Sequence, residues 1–253
     1  MKTILLALGR RLGTGGVQVT IPAELLPIAG RPLIQRYVEY LSDSGRKDIA
    51  VVLRDEPERF STFLEEGERW GASISYHRCP TGTDHVSFAE SLSTELGADE
   101  VFDPLAPPPP GRGDGSWNFP GALDLVAYLD CVALTLGGKV PGFVPSGRET
   151  AQGLRLSHHV RIHPSARLIP PLFIGEGAEI GAGAEIGPFA SVERGSVIGA
   201  GTYFAHSVAL PWTLIGEKLH IEEAVVEGSA FFKPRSDAVY IAEDPALSTT
   251  RTR

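Results

Sequence analysis

Residues 174–204 read IGEGAEIGAGAEIGPFASVERGSVIGAGTYF, and an aliphatic residue returns at every sixth position. The series extends outward without a break: Leu156, Ile162, Leu168, Ile174, Ile180, Ile186, Val192, Ile198, Phe204 and Leu210. A helix would repeat near 3.6 and a simple strand at two. A period of six matches one flat side of a triangular coil, so the stretch predicts a parallel β-helix with these ten side chains as its core. Four places after the aliphatic residue the side chain tends to be small, at Ala166, Ala178, Ala184, Ala190, Ser196 and Thr202, and fits inside a corner. Gly175, Gly181, Gly187 and Gly199 directly follow the aliphatic position, where glycine takes turn angles at low cost. Three hexads make a coil, giving about four coils over residues 155–230. The next aliphatic positions after Leu210 are Ile215 and Ile221, so the register is expected to slip at a corner near Pro211-Trp212.

This pattern resembles the left-handed β-helix of the hexapeptide-repeat proteins, and the resemblance supplies the handedness. It also implies a homo-oligomer, a trimer or a dimer, formed through the coil.

The first hundred residues alternate strand and helix signals. TILLAL (3–8), DIAVVL (48–53) and ASISYH (72–77) read as strands. RPLIQRYVEYLSDSG (31–45), PERFSTFLEEGERWG (57–71) and HVSFAESLSTELG (85–97) read as helices. Leu33, Ile34, Tyr37, Val38 and Leu41 share one face of the first helix, Pro32 suits its first turn and Gly45 can end it. Such alternation predicts a small parallel α/β sheet with right-handed crossovers.

The stretch AELLPIAGRPLIQRYVEYLSDSGRKDIAVVL (23–53) is similar to the start of sugar-1-phosphate nucleotidyltransferases, and CPTGTDHVSFAESL (79–92) resembles their later Gly-Thr segment. The fold class implied is α/β plus all-β: a small Rossmann-like nucleotidyltransferase-type domain followed by a left-handed β-helix. The domains read as 1–103, shortened and nucleotidyltransferase-like; 104–118, a Pro/Gly-rich linker; 119–154, a connecting helix (119–136) and loop; 155–230, the β-helix; and 231–253, a cap and tail. Phe231 and Phe232 would cover the open end of the stack, with a mobile tail beyond.

The resemblance places nucleotide or phosphate contacts at Gly9, Arg10, Arg11, Gly13, Gly82 and Thr83. The match has departures. Arg11 stands where the family's loop has its second glycine, Gly13 where it has an arginine, and Ala23 where it has the phosphate-binding lysine. Asp99, Glu100 and Asp103 are the acidic candidates for the family's metal-binding aspartate, and no apolar strand is evident before them. These departures favour a non-catalytic, regulatory or assembly relative in nucleotide-sugar or surface-polysaccharide metabolism, with no catalytic residue assigned and no certain cofactor. The partners would be further copies of this chain, an active relative in a hetero-complex, or a nucleotide or nucleotide sugar. An active nucleotidyltransferase using Mg²⁺ is the alternative.

A hexapeptide-repeat acyltransferase is the third reading. It draws attention to His158, His159, His163, His206 and His220, although the spacing of HHVRIH gives no complete three-histidine metal set.

The net charge of −8 disfavours general nucleic-acid or membrane-surface binding. Two cysteines, Cys79 and Cys131, do not make a disulfide scaffold or a thiolate zinc site, which agrees with a cytoplasmic location. No apolar run approaches the ~20 residues of a membrane span.

Overall fold

The structure is a computed structural model that describes residues 2–105, 124–140 and 144–251. It divides into two compact units. The first comprises residues 1–11, 21–26 and 32–107; the second comprises 12–20, 27–31 and 108–253. The loops 12–20 and 27–31 thus pack with the C-terminal half of the chain.

The first unit is a four-stranded parallel sheet with β1 (Lys2–Ala7), β2 (Asp48–Leu53), β3 (Ser73–Arg78) and β4 (Ala98–Phe102) in the order β3-β2-β1-β4. Helices α1 (Leu33–Asp43), α2 (Pro57–Leu64) and α3 (His85–Leu96) supply the crossovers. β1 and β2 are almost continuous apolar runs because side chains cover both faces of a central parallel strand. In α1 the buried side chains include Leu33, Ile34, Tyr37, Val38 and Leu41, the face expected, with Pro32 as N-cap. Asp84 caps α3 by accepting the Ser87 N–H at 2.9 Å. As expected, no apolar strand stands before Asp103; the strand that does precede it, β4, carries Asp99 and Glu100 within it. It is a polar edge strand, ADEVF, whose placement comes from its parallel pairing with β1.

In the second unit, short strands pair in parallel along three sides. The first side runs Leu154–Leu156, Leu172–Ile174, Ala190–Val192, Val208–Ala209 and Val225–Glu227. The second runs Arg161–Ile162, Glu179–Ile180, Val197–Ile198 and Thr213–Ile215. The third runs Arg167–Leu168, Glu185–Ile186, Tyr203–Ala205 and His220–Glu222. Facing residues in the early coils are 18 apart, as for Arg161 and Glu179, and in the later coils 17, as between Ser196 and Thr213.

The shortening corrects the expected register. Val192 pairs with Ala209, so Ala209 fills the core position and the buried Leu210 falls level with Glu193. The missing residue is at the corner after Phe204. Coils one and two carry prolines at this corner, Pro170-Pro171 and Pro188; the later coils turn through His206 and Glu223, both at positive φ. The corner at Pro211-Trp212 keeps its length.

The other nine core positions are as expected, with Ile174, Ile186, Val192, Ile198 and Phe204 fully enclosed. Gly175, Gly181 and Gly199 after them are needed for space rather than for φ, while Gly187 has φ +100° as well as a crowded Cβ position. A Cβ on Gly175 or Gly181 would lie 2.6 Å from the next coil's backbone nitrogen, whereas positive φ belongs to Gly177, Gly183, Gly195 and Gly201. Higher in the stack, hydroxyls replace the corner alanines. Ser196 Oγ donates to Leu210 O at 2.8 Å and accepts the Thr213 N–H at 3.2 Å; Thr202 Oγ1 likewise serves Gly216 O and the Leu219 N–H.

The end of the stack is closed by pairing. Strand Ala230–Lys233, with Phe232 buried, adds antiparallel to Val225–Glu227, and Ala238–Ile241 adds to that. The tail expected to be mobile is also paired: Ser248–Thr250 runs antiparallel to Thr213–Ile215, and Ser248 is fully buried. Truncation after Glu243 removes this strand. We expect the melting temperature to fall by at least about 4 °C, the effect of one to two kcal/mol in a chain of this size; an unchanged melting temperature would show that the pairing adds nothing.

The outer face of the first side is covered within this unit. Phe173, Ser191, Val208 and Val225 are buried there, and α4 (Leu125–Leu136) places Tyr128 so that its hydroxyl donates to Pro27 O at 2.6 Å. The expected linker, beyond Leu105, and residues 119–123 of the expected connecting helix lie outside the described residues.

Glu193 is enclosed on this face, where its Oε1 accepts the Ser191 hydroxyl at 2.7 Å and the Gly30 N–H at 3.3 Å. Burial pushes its pKa up to about 7, against the two hydrogen bonds that lower it. A carboxyl raised in this way stabilises the fold most below its unfolded pKa near 4.5, and that stability is lost as pH rises through about 7. Glu193→Gln is expected to gain roughly 3 kcal/mol over wild type between pH 4.5 and pH 8, measured by urea unfolding; parallel pH profiles for the two proteins would refute it.

Candidate functional site

In an open parallel sheet, ligands bind beyond the carboxyl ends of the strands where the strand order reverses. Here the chain moves outward from β1 to β2 and β3, then returns to place β4 on the other side of β1. The switch point therefore lies between β1 and β4, and two of the expected residues, Gly9 and Arg10, leave β1 at that place.

Gly9 has φ +72°, and a Cβ there would lie 2.6 Å from Asp55 O, so the turn admits only glycine. It delivers Arg10, whose backbone carbonyl accepts the Ala23 N–H at 2.6 Å. The Arg10 side chain meets two carboxylates. Its Nε donates to Glu24 Oε1 at 3.3 Å, and its terminal nitrogens donate to both oxygens of Asp103, one of them at 2.9 Å. Glu24 comes from the short 3-10 turn Ala23–Leu25 and is completely buried; its Oε1 also accepts the Leu8 N–H at 3.3 Å. Its Oε2 is buried with no hydrogen-bond partner. Burial raises the Glu24 pKa even though Arg10 pulls it down. Burial alone would lower the Arg10 pKa, but Asp103 and Glu24 outweigh it and raise it. Asp103 directly follows β4 and also accepts the Leu105 N–H at 2.9 Å.

Arg11 forms an ion pair with Glu56, which Arg59 also engages at 2.7 Å. Hydrogen bonding from Arg59, helped by Arg11, lowers the Glu56 pKa. Gly82 and Thr83 form an exposed turn between β3 and α3, with the Thr83 N–H donating to Pro80 O at 3.1 Å. Two strand spacings, roughly 10 Å, separate the ends of β3 and β1. Gly13 belongs to the second unit, in a hairpin whose Thr14 hydroxyl and Gly15 N–H both donate to Asp237.

Of the six expected contact residues, Gly9 and Arg10 stand at the switch point, and the adjacent Arg11 turns to Glu56 instead. Sequence reasoning missed Glu24, a single acidic residue in an apolar stretch. It included Asp103 only as an acidic candidate without a strand.

Mg²⁺ does not fit the carboxylates as arranged. Asp103 presents both oxygens to Arg10, and the guanidinium stands between Asp103 and Glu24, where a divalent ion would have to sit. The histidines of the coil unit occupy faces and corners: His206 packs on Phe189 with ring centroids 5.2 Å apart, His220 stacks on Tyr203 at 4.5 Å, and His163 Nδ1 contacts Ser165 Oγ at 2.8 Å. Among the described residues no three His, Cys, Asp or Glu side chains converge as a metal set, and no helix is long and apolar enough to cross a membrane.

Removing the guanidinium should leave buried Glu24 uncompensated. Arg10→Ala is expected to cost about 3–5 kcal/mol at pH 8. The cost should be smaller at pH 5 than at pH 8, because burial raises the Glu24 pKa and so favours its uncharged form as pH falls. Urea unfolding at both pH values, followed by helical circular dichroism, tests this; equal losses would contradict it.

No family profile matches the chain. Over 76 residues it is 29% identical to a UTP–glucose-1-phosphate uridylyltransferase of Synechocystis sp. (strain ATCC 27184 / PCC 6803 / Kazusa). The match covers 30% of this chain and 20% of that protein, so the chain spans about a fifth of the length of the curated relative it matches. A crystal structure of a Bacillus anthracis protein named as a glucose-1-phosphate thymidylyltransferase, in complex with sucrose, aligns with a TM-score of 0.35 and 23% identity. That alignment covers 41% of this chain and 44% of the other. Part of the chain is therefore similar in sequence to a sugar-1-phosphate nucleotidyltransferase.

Proposed function

We propose that this chain is a non-catalytic relative of the sugar-1-phosphate nucleotidyltransferases, a cytoplasmic regulatory or assembly subunit in nucleotide-sugar or surface-polysaccharide metabolism. The observation that carries this reading is the engagement of Arg10 by Glu24 and Asp103. Nucleotidyl transfer depends on cations aimed at the phosphates, where charge develops in the transition state. Here the loop arginines are already matched by Glu24, Asp103 and Glu56, and Ala23 stands where the resemblance places a lysine. A nucleoside triphosphate would meet loop arginines that are already paired.

In this reading the three-sided coil is a left-handed β-helix. It joins copies of the chain as a trimer or dimer, or pairs it with an active relative. A nucleotide or nucleotide sugar would be a regulatory ligand rather than a substrate.

One observation favours the alternative, an active nucleotidyltransferase. Asp103 directly follows β4 at the switch point, a place from which a carboxylate can serve a reacting phosphate. That role would require Arg10 to leave Asp103.

The two readings separate in a pyrophosphate-release assay with each nucleoside triphosphate, glucose 1-phosphate and Mg²⁺. The expected result is no release above the protein-free blank, with Asp103→Asn indistinguishable from wild type. Release by the wild type that Asp103→Asn abolishes would establish the active enzyme.

A further inference from the structure

We infer that the Arg10 guanidinium is a resident cation occupying a divalent-metal position between Glu24 and Asp103, so that this unit holds with a side chain a carboxylate pair suited to a metal ion. The inference deepens the proposed function, since it rests on the same ion pairs.

Two separate segments bring the carboxylates to one place. Glu24 arrives in the 3-10 turn behind Pro22, and Asp103 at the end of the edge strand β4. Carboxylates of like charge repel, and a wholly buried one needs a counter-charge. The guanidinium supplies it to both at once, with Nε toward Glu24 and the two terminal nitrogens toward Asp103.

The match to Glu24 is incomplete, and that observation points to a different cation. Glu24 Oε2 is buried and accepts no hydrogen bond, although its carboxylate faces a cation. A planar guanidinium donates only along its five N–H directions. Three of those N–H groups go to Glu24 Oε1 and the two oxygens of Asp103, and none of the five reaches Oε2. A spherical divalent ion has no such directional limit. It can take a carboxylate through one oxygen or both, and it fills the remaining positions with water. Hard oxygen donors of this kind suit Mn²⁺, Mg²⁺ and Ca²⁺.

The test is calorimetric titration of the whole chain with MnCl₂, in wild type and in Arg10→Ala. Wild type is expected to bind no Mn²⁺ at millimolar concentration. Arg10→Ala should bind one Mn²⁺ per chain and melt at a higher temperature in its presence, and Arg10→Ala/Asp103→Asn should lose both effects. If Arg10→Ala is unfolded without metal, Mn²⁺ should restore its circular dichroism spectrum. Two results would overturn the inference: Mn²⁺ binding by wild type that Asp103→Asn removes, or Arg10→Ala that neither binds nor refolds with Mn²⁺. Pyrophosphate release by the wild type would sink the non-catalytic reading alone, because it does not depend on Mn²⁺ binding by the variant.

Discussion

The coil unit depends on how closely one turn of backbone can approach the next. At Gly175, Gly181 and Gly199 the backbone of the following coil lies within about 2.6 Å of where a Cβ would be, nearer than real Cβ contacts allow. Alanine at any of these places would force neighbouring coils apart. Strand pairing, at about 4.8 Å between strands, would then fail along that side, and the inward stack of Ile174, Ile180, Ile186 and Ile198 would lose contact between layers. The hydroxyls of Ser196, Thr202, Ser207 and Thr213 follow from the same closeness. Corner backbone groups are shut away from water there, and each hydroxyl both donates to a carbonyl and accepts an N–H. By comparison, the Arg161–Glu179 and Arg167–Glu185 pairs on the outer faces are exposed and contribute little, typically under about 1 kcal/mol each.

The α/β unit depends on charge compensation. Its sheet is held by apolar strands in the usual way, but the crossing from β1 into the following loop is fixed by a buried carboxylate. Glu24 accepts the Leu8 N–H and Arg10 Nε, and Ala23 donates its N–H to the Arg10 carbonyl, so the turn and the loop hold each other at three points. Part of this arrangement was legible beforehand. The strand β1, the glycine turn and the two arginines follow from local pattern. Glu24 does not, because one acidic residue among apolar neighbours looks the same in sequence whether it faces water or a guanidinium.

The period of six was legible because it reports backbone geometry repeated many times, and so were α1 and α3, through their apolar faces and closing glycines. Beyond Glu24, two strands escaped the sequence for one cause: pairing chosen by backbone groups rather than side chains. β4 is polar and half exposed, and the tail strand is nearly all Ser and Thr, yet both complete a sheet edge. The misplaced core position has a related origin. Ala209 and Leu210 are adjacent and both apolar, so periodicity selects the larger, while the true register is set by a corner that lacks the residue its earlier copies spend on proline.

A ligand must compete with what a site already holds. For a triphosphate to take Arg10, the guanidinium would have to give up two charge-assisted bonds to Asp103, leaving Asp103 and buried Glu24 as uncompensated charges beside an incoming polyanion. Each of those consequences opposes binding, and no second cation of the loop offsets them, since Arg11 is paired with Glu56. The strand order keeps the place where nucleotides bind on parallel sheets, but the side chains there have been arranged to satisfy one another. In the non-catalytic reading proposed above, such a fold keeps its stability without a working site and acts through its surfaces.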